Sequence, residues 1–488
     1  MLFNSIHFLV FFVVVTTIYF LVPHKYRWLL LLASSCYFYM AFVPIYILIL
    51  GFTIVVDYFL GIFLEKTKGK KKKFLLIGSL IANIGVLAVF KYYNFFNNNL
   101  NILLHGVGYQ NPIPYLSIIL PIGLSFHTFQ AMSYTIEIYR GNQKAERHFG
   151  IYSLYVMFYP QLVAGPIERP QNLLHQFYEE HYFDYQRVTD GLKLMAWGLF
   201  KKVIIADRLA IVVDNVYNNP QEHTGLTFII ATLFFSFQIF CDFSGYSDMA
   251  IGTAQVMGFE LMKNFDRPYH SKSISEFWGR WHISLSTWFK DYVYIPIGGN
   301  RVSMLRWYFN LFIVFLISGL WHGGKWSFVI WGALHGFYIV FAIITKKARI
   351  ATANFIGLNK FPRLNKFLQI STTFVLVTFA WIFFRADSVS NACYIIKHSI
   401  TGLYKNLFNL YHHLPVPLNV GLSNKDLLIG VSAILLMEAI HIMQNKYKIR
   451  DWIRSKPTYL RWSIYYAVVL TIAFLGVYGN REFIYFQF

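Results

Sequence analysis

Roughly twelve stretches of this chain are apolar enough, over enough residues, to cross a lipid bilayer as helices. A spanning helix needs about 20 mostly apolar residues, and its backbone hydrogen bonds must close within the segment. The 488 residues are 56% hydrophobic and 14% charged, whereas soluble domains carry about 25% charged residues. The sequence therefore predicts one all-α polytopic membrane protein. The candidate spans are 6–22, 28–45, 46–64, 74–91, 115–138, 190–216, 226–249, 307–321, 326–345, 368–385, 426–443 and 462–480.

Two of these spans are weak, so that we expect about 11–12 transmembrane helices plus interfacial or re-entrant ones. The 190–216 span carries charged residues that include Lys201, Lys202, Asp207 and Arg208, and the 307–321 span is short. Broken or partial helices at membrane depth are tolerated only where protein or water covers the backbone. We therefore expect either segment to be an interrupted helix.

The loops between the spans separate by charge. Residues 65–73 hold six Lys, 346–366 hold six basic residues, and 445–461 hold six against one acid. Residues 92–114 and 217–225 hold no Lys or Arg. With twelve spans, the positive-inside rule places every basic loop in the cytoplasm and the N-terminus outside. The excess of 43 Lys and Arg over 23 Asp and Glu thus indicates membrane orientation, and not nucleic-acid binding.

His322 stands out because it follows a short apolar span and is flanked by Gly319, Gly323 and Gly324 in GLWHGGKW, residues 319–326. Ionisable groups near the membrane interior are functional candidates by default. A neutral histidine there could act as a general base. The alternative is a structural histidine at a helix end. The charge alternation places His322 towards the outer side.

His282 lies in an aromatic-rich stretch that does not span the membrane. Its large apolar residues recur at helical spacing, which predicts an amphipathic helix at the cytoplasmic interface. His282 could line the entrance of a cavity, or it could simply pack among its aromatic neighbours. The residues that set the spacing are Phe277, Trp281, Leu285 and Trp288.

Two further segments carry polar groups beside apolar sequence. In residues 237–252, the side chains of Gln238, Asp242 and Ser244 cannot easily face lipid, so they line a channel or hydrogen-bond between helices. In FYPQLVAGPIERP, residues 158–170, three prolines and a glycine interrupt any helix. Irregular backbone of this kind lines cavities in membrane proteins.

Several chemistries have no support in the sequence. There is no P-loop, HExxH motif, CxxC pair or GxSxG elbow, so we expect no metal site and no hydrolase triad. The three cysteines, Cys36, Cys241 and Cys393, are too few for a disulfide framework, and we expect them to be unpaired.

The chain resembles the membrane-bound O-acyltransferase superfamily, and within it the bacterial alginate O-acetyltransferase branch. The resemblance runs over nearly the whole length and rests on long, chemically unusual motifs in the family's order. They are LPIGLSFHTFQAMSYTIEIYRG (120–141), FYPQLVAGPIERP (158–170), FCDFSGYSDMAIG (240–252), FDRPYHSKSISEFWGRWHISLSTWFKDYVYIPIGGNR (265–301), LISGLWHGGKWSFVIWGALHG (316–336), WIFFRA (381–386) and FIYFQF (483–488).

This resemblance implies a ring of tilted helices around a central tunnel, in a single membrane domain over 1–488. The core would cover about 115–390, with additional helices at 1–114 and 391–488. It implies that His322 is catalytic and that His282 is the second characteristic histidine, on the cytoplasmic side of the tunnel. We expect five residues to line that tunnel: Gln238, Asp242, Ser244, Trp321 and Gly323.

The implied activity is O-acylation, with an acyl group, most simply acetyl, passed from a cytoplasmic thioester. The donor would be acetyl-CoA, used as a substrate, with no bound cofactor. The acceptor would be an extracytoplasmic polysaccharide or a partner protein, and the location the bacterial cytoplasmic (inner) membrane. Two alternatives stay open at this point: a sibling enzyme acting on peptidoglycan or D-alanylating teichoic acid, and a transporter conducting a polar solute past Asp242 and His322.

Overall fold

The structure, a computed structural model, describes residues 1–117, 121, 123–163, 165–414, 420–479, 481 and 483–486. Within these ranges the chain is helical and holds no β-strand, as the sequence predicts. It divides into two compact units. The first unit is formed by 1–197, 246–263 and 485–488, and the second by 198–245 and 264–484.

Ten α-helices begin in the first unit. They are α1 Ile6–Leu21, α2 His24–Met40, α3 Ile47–Lys66, α4 Gly69–Leu87, α5 Tyr93–Gly106, α6 Leu124–Arg140, α7 Phe149–Met157, α8 Tyr159–Leu162, α9 Pro170–Leu173 and α10 Tyr185–Phe200. Buried tyrosines fill much of this unit's core, and a buried carboxylate joins two of its helices. Ser79 and Asn83 of α4 donate hydrogen bonds of 2.6 and 2.7 Å to Asp57 of α3.

The other twelve α-helices begin in the second unit. They are α11 Asp207–Asn218, α12 Leu226–Met257, α13 Ile274–Trp278, α14 Ile283–Phe289, α15 Met304–His322, α16 Trp326–Ile344, α17 Lys346–Phe355, α18 Pro362–Arg385, α19 Val389–Tyr411, α20 Asn424–Met443, α21 Ile449–Arg454 and α22 Thr458–Leu475. Three fully buried tryptophans, Trp281, Trp331 and Trp381, form the centre of its core.

Eight helical segments of the described chain are long and apolar enough to cross a membrane. Each of them overlaps one of the twelve predicted spans. Pro362 illustrates how such a segment begins, because proline at the first helical position costs no intrahelical hydrogen bond. The eight segments are Pro44–Lys66, Gly69–Gly106, Leu226–Met257, Met304–His322, Trp326–Ile344, Pro362–Arg385, Asn424–Met443 and Thr458–Leu475.

Three of the other four predicted spans correspond to shorter helices, and the fourth corresponds to a helix with a π-helical turn. Helix α1 is apolar but has only 16 residues, and α2 has 17. The 115–138 prediction corresponds to α6, which begins only at Leu124; residues 118–120 and 122 lie outside the described residues. The 190–216 span is helical without a gap, because α10 continues through the π-helical residues Lys201–Ala206 into α11. The short 307–321 span lies within helix α15. The expected break is found in neither segment.

Candidate active site

His322 is the last residue of α15, and close helix packing fixes its place. Only residues 323–325 join α15 to α16, so the two helices form a hairpin. A Cβ on Gly319 would lie 2.4 Å from the carbonyl oxygen of Phe328, and one on Gly332 would lie 2.4 Å from that of Phe315. The backbones therefore touch, and alanine at either glycine would push the helices apart.

Aromatic rings surround the His322 imidazole. Its ring centroid lies 4.8 Å from that of Trp321, 4.9 Å from Trp331 and 5.2 Å from Phe384, all edge-to-face. Only 4% of the residue is exposed. Edge-to-face packing orients a ring, and this burial keeps bulk water away from it. His322 is therefore held in one place, with the solvent excluded, as a group that exchanges protons with a substrate needs to be.

Gly323 follows His322 in extended backbone, with φ −175° and ψ 154°. A Cβ there would lie 2.4 Å from Cε2 of Phe328. The glycine thus leaves room for the Phe328 ring, whose centroid is 5.0 Å from that of Phe384. This packing explains the small residue at position 323 and leaves its predicted place along the tunnel a prediction.

The single amphipathic helix predicted around His282 is wrong. The segment is two short helices, α13 and α14, with His282 between them in the left-handed conformation at φ 44° and ψ 56°. The backbone on either side of His282 does not continue one helix but forms hydrogen bonds with residues 264–266. The Ile283 amide donates to the carbonyl oxygen of Asn264 at 2.9 Å, and the Asp266 amide donates to that of Arg280 at 2.9 Å.

His282 is buried within the second unit and does not lie at an exposed interface. Burial lowers the pKa of its imidazole to about 3, so the ring is neutral at physiological pH. Its ring centroid lies 4.6 Å from that of Phe243 and 6.2 Å from that of Trp321. A neutral imidazole offers one donor and one acceptor nitrogen to a ligand.

Trp321 contacts both histidines, and this contact limits how far apart they are. Its ring centroid lies 6.2 Å from the His282 ring and 4.8 Å from the His322 ring, so the two imidazoles are at most about 11 Å apart. The two imidazoles therefore lie close together in the second unit and form one candidate site. The placement of His282 towards the cytoplasmic side and of His322 towards the outer side stays a prediction.

The sequence reasoning missed His335, a third buried histidine beside this site. Its Nδ1 accepts a 3.2 Å hydrogen bond from the indole N–H of Trp278. Its ring centroid lies 4.9 Å from that of Trp331, which also contacts His322. His335 and Gly336 end the motif at 316–336, but a single histidine inside an apolar helix has no local pattern that marks it as functional.

Two of the predicted polar residues on α12 are engaged with lysines. The Asp242 carboxylate lies 2.8 Å from the Lys202 ammonium, which also lies 2.9 Å from Asp207. The other oxygen of Asp242 accepts a 2.8 Å hydrogen bond from the Ile484 amide. Ser244 accepts a 2.8 Å hydrogen bond from Lys201. These contacts explain how charges inside an apolar segment are tolerated.

Gln238 is also buried on α12, about one helical turn before Asp242. The widened π-helical turn at Lys201–Ala206 sits beside this group of polar side chains, and such turns are frequent at functional sites. No tunnel-lining role of Gln238, Asp242 or Ser244 follows from these contacts alone, and that role stays a prediction.

The irregular segment 158–170 lies in the first unit and is irregular in the structure too. It contains only the four-residue helix α8 and the start of α9, with residue 164 outside the described residues. Glu168 is fully buried there and accepts a 2.6 Å hydrogen bond from the Met262 amide. Burial raises the pKa of its carboxyl to about 7.

Comparison with known proteins identifies the family. The profile of the membrane-bound O-acyltransferase family, MBOAT, matches residues 144–356. The chain is 39% identical over 397 residues to the probable alginate O-acetylase AlgI of Pseudomonas aeruginosa, covering 80% of this chain and 73% of that protein. This chain is a membrane-bound O-acyltransferase. The resemblance inferred from the motifs is thereby confirmed.

Other relatives of this O-acyltransferase are named for other polymers, namely peptidoglycan and teichoic acid. It is 33% identical to the peptidoglycan O-acetyltransferase of Helicobacter pylori, covering 94% of this chain and 91% of that protein. It is 28% identical to the teichoic acid D-alanyltransferase of Bacillus subtilis, covering 64% and 78% respectively. The family match makes this chain a multi-pass membrane enzyme that transfers acyl groups and removes the support for a transporter.

Proposed function

We propose that this enzyme moves an acetyl group from acetyl-CoA at the cytoplasmic face to hydroxyl groups of an extracytoplasmic polysaccharide or of an acyl-accepting partner protein. The observation that carries the proposal is the His322 imidazole, buried and oriented by three aromatic rings at the end of α15. Among the buried histidines of the second unit, it is also the one that the family motif designates as catalytic.

In this mechanism, His322 carries one proton from the acceptor hydroxyl to the leaving thiolate. The imidazole accepts the proton of the acceptor hydroxyl as the hydroxyl oxygen attacks the thioester carbonyl. The tetrahedral intermediate then collapses, the bond from carbon to sulfur breaks, and His322 returns the proton to the departing thiolate. The products are the ester and free coenzyme A. Backbone N–H groups of Gly323 and Gly324 would stabilise the transient oxyanion.

His282 would serve the donor. Its ring lies at most about 11 Å from that of His322 and is neutral at physiological pH, so it can donate a hydrogen bond to the thioester carbonyl oxygen without carrying charge. The basic loops at 65–73, 346–366 and 445–461 would raise the local concentration of an anionic donor at the cytoplasmic face.

The names of the relatives support a glycan hydroxyl as the acceptor. The relative that is 39% identical is named for alginate, whereas the peptidoglycan enzyme is 33% identical and matches over most of both chains. The teichoic acid D-alanyltransferases are more distant. We therefore propose a glycan hydroxyl as the acceptor, with alginate-like exopolysaccharide as the first polymer to test and peptidoglycan as the second.

The direct test uses His322→Gln, which keeps a polar side chain of similar reach but cannot act as a general base. We expect the purified variant to transfer label from [acetyl-14C]acetyl-CoA to the glycan at least about 10²-fold more slowly than the wild type. The matched control is His105→Gln, because His105 is an exposed histidine at the end of α5.

The variant must be purified as folded protein, shown by an unchanged elution volume and apparent melting temperature. Slow transfer by His322→Gln together with wild-type transfer by His105→Gln would support the proposal. Transfer at the wild-type rate by folded His322→Gln would contradict the role of His322 as base.

A further inference from the structure

Three potential metal ligands from two segments of the second unit converge outside the proposed active site. His270 Nε2 lies 2.6 Å from one carboxylate oxygen of Glu438, and His441 Nδ1 lies 3.3 Å from the other. The potential ligand atoms all lie within 4.8 Å of one another. His441 is buried, whereas His270 and Glu438 are about one quarter exposed, so one side of the group lies at the surface of the protein.

Two of the three ligands come from one face of α20. Glu438 and His441 are three residues apart in the sequence Glu-Ala-Ile-His, and this spacing puts both side chains on the same side of a helix. The same Glu-x-x-His spacing supplies metal ligands in helical carboxylate-bridged proteins. The Phe240 ring packs edge-to-face against His441, with centroids 5.8 Å apart, and restricts its orientation.

The third ligand is held against α20 by a strained segment. Arg267 adopts the left-handed conformation at φ 48°, which is rare for a residue with a side chain. Its guanidinium donates to Asp266 at 3.0 Å and to Asn445 at 2.6 Å, just after the end of α20. The Tyr269 hydroxyl donates to the carbonyl oxygen of Ser236 at 2.5 Å. These contacts fix the backbone on both sides of His270.

We propose that His270, Glu438 and His441 bind one divalent transition-metal ion of the zinc class. Zinc takes imidazole nitrogen at about 2.0–2.1 Å and carboxylate oxygen at about 2.0–2.2 Å, and two histidines with one glutamate is a known zinc ligand set. In a tetrahedral site of this size, ligand atoms lie about 3.3 Å apart. The observed spacings reach that value with side-chain movements of an ångström or two.

The ligand chemistry also excludes the hard cations. Calcium and magnesium prefer six or more oxygen ligands, whereas this group offers two nitrogens and one carboxylate. Neutral imidazoles with a carboxylate suit zinc and its first-row neighbours. A water molecule at the exposed side would complete the four-coordinate shell.

A simple ion pair explains the arrangement less well. His175 and Glu179 form a simple pair of one imidazole and one carboxylate. Their Nε2 and carboxylate oxygen lie 3.7 Å apart, and both side chains are more than half exposed. At Glu438, two imidazoles from separate segments approach both oxygens of a single carboxylate. A single metal ion would account for all three side chains meeting at one point, because each imidazole nitrogen and a carboxylate oxygen can ligate it.

Metal binding would stabilise the loop that holds His282. Residues 264–266 accept and donate the backbone hydrogen bonds that fix 280–283, and His270 follows them in the same segment. Asn264 also accepts hydrogen bonds from the amide and hydroxyl of Ser284, at 3.2 and 3.0 Å. The ion would thus act as a structural clamp, and its binding does not depend on the proposed acetyl transfer.

The test measures zinc content and thermal stability in the full-length protein, purified with a tag that contains no histidine. After dialysis against chelator-buffered zinc, the wild type should retain about one zinc per chain by mass spectrometry of the metal. The double variant His270→Gln/His441→Gln should retain none. The control His175→Gln/Glu179→Gln removes a His–Glu pair without a third ligand and should retain zinc as the wild type does.

Zinc should also raise the apparent melting temperature of the wild type and the control by a few degrees and leave that of the double variant unchanged. Should the double variant fail to fold, cobalt titration of the wild type decides: visible d–d bands typical of four-coordinate nitrogen and oxygen ligands are expected. Equal zinc content in all three folded proteins, or a wild type that holds neither zinc nor cobalt, would overturn the proposal.

Discussion

At the level of single residues, a substitution at His282 best distinguishes a role in donor binding from a role in packing. Its left-handed backbone is costly for most side chains, but asparagine adopts it readily. We therefore expect His282→Asn to fold and to raise KM for acetyl-CoA about tenfold, equivalent to ~1.4 kcal/mol, with a smaller effect on kcat. Steady-state kinetics with varied donor and saturating acceptor measure this split.

His413→Asn provides the control for His282→Asn, because it changes another left-handed histidine, one that is exposed and lies outside the candidate site. We expect it to leave KM for the donor unchanged. If His282→Asn lowered the apparent melting temperature but kept wild-type KM and kcat, His282 would be a packing residue only.

The raised pKa of Glu168 can be tested by measuring how the stability of the protein changes with pH. Its pKa is raised by burial from 4.5 to about 7, so the folded protein holds that proton to a higher pH than the unfolded chain does. The stability linked to this proton is present at low pH and is lost as pH rises from about 4.5 to about 7. Glu168→Gln, which cannot ionise, should therefore match the wild type near pH 5 and melt at a higher temperature near pH 8.

Scanning fluorimetry across this pH range measures the difference, and the exposed Glu179→Gln serves as the control with the wild-type profile. Parallel melting curves for wild type and Glu168→Gln over the whole range would show that Glu168 is ionised throughout.

The sequence suggests candidate site residues, but it does not reveal which side chains they contact. His322 and His282 could be singled out because a histidine among glycines and aromatics is unusual beside a membrane span. The pairing of Asp242 with Lys202 could not be predicted, because the two lie 40 positions apart and only packing brings them together. His335 was missed because one histidine inside an apolar helix carries no local pattern.

At the scale of elements, one helix tests the membrane orientation. Residues Gly69–Gly106 form a 38-residue helical segment that starts in the lysine-rich loop. Lys71 and Asn98 are 27 positions apart on it, which corresponds to ~40 Å along a helix, more than the ~30 Å hydrocarbon core. We expect Asn98→Cys to react with a membrane-impermeant maleimide from outside intact cells and Lys71→Cys not to react.

The background for this labelling lacks Cys36, Cys241 and Cys393, which are unpaired in the structure. Lysed cells provide the control, since both introduced cysteines are exposed and should then react. Labelling of Lys71→Cys and not of Asn98→Cys in intact cells would reverse the predicted orientation.

The elements that sequence predicts well are those with a long apolar run, and those it predicts badly are short and buried. Helices α15, α16 and α18 fall close to their predicted spans because hydropathy alone defines them. Around His282, helical spacing of large apolar residues gave a false amphipathic helix. Trp281 and Leu285 are buried on opposite sides of a break, so their spacing reflects a core packed from several directions.

At the scale of the whole molecule, the charge distribution agrees with the proposed route of the donor. The net charge of +20 comes largely from loops that the positive-inside rule assigns to the cytoplasm. An anionic coenzyme A ester would be attracted to that face, and added salt should weaken this attraction. The same loops would contact anionic lipid headgroups.

In the proposed mechanism, the acyl group passes from a cytoplasmic donor to an external acceptor, with His322 as the general base. The most direct measurement supplies labelled acetyl-CoA to inside-out and to right-side-out membrane vesicles that contain the enzyme, with glycan acceptor on both sides. Because acetyl-CoA does not cross the bilayer, we expect labelled glycan only in inside-out vesicles, and none with His322→Gln. Equal labelling in both orientations, or unchanged labelling with His322→Gln, would contradict the account.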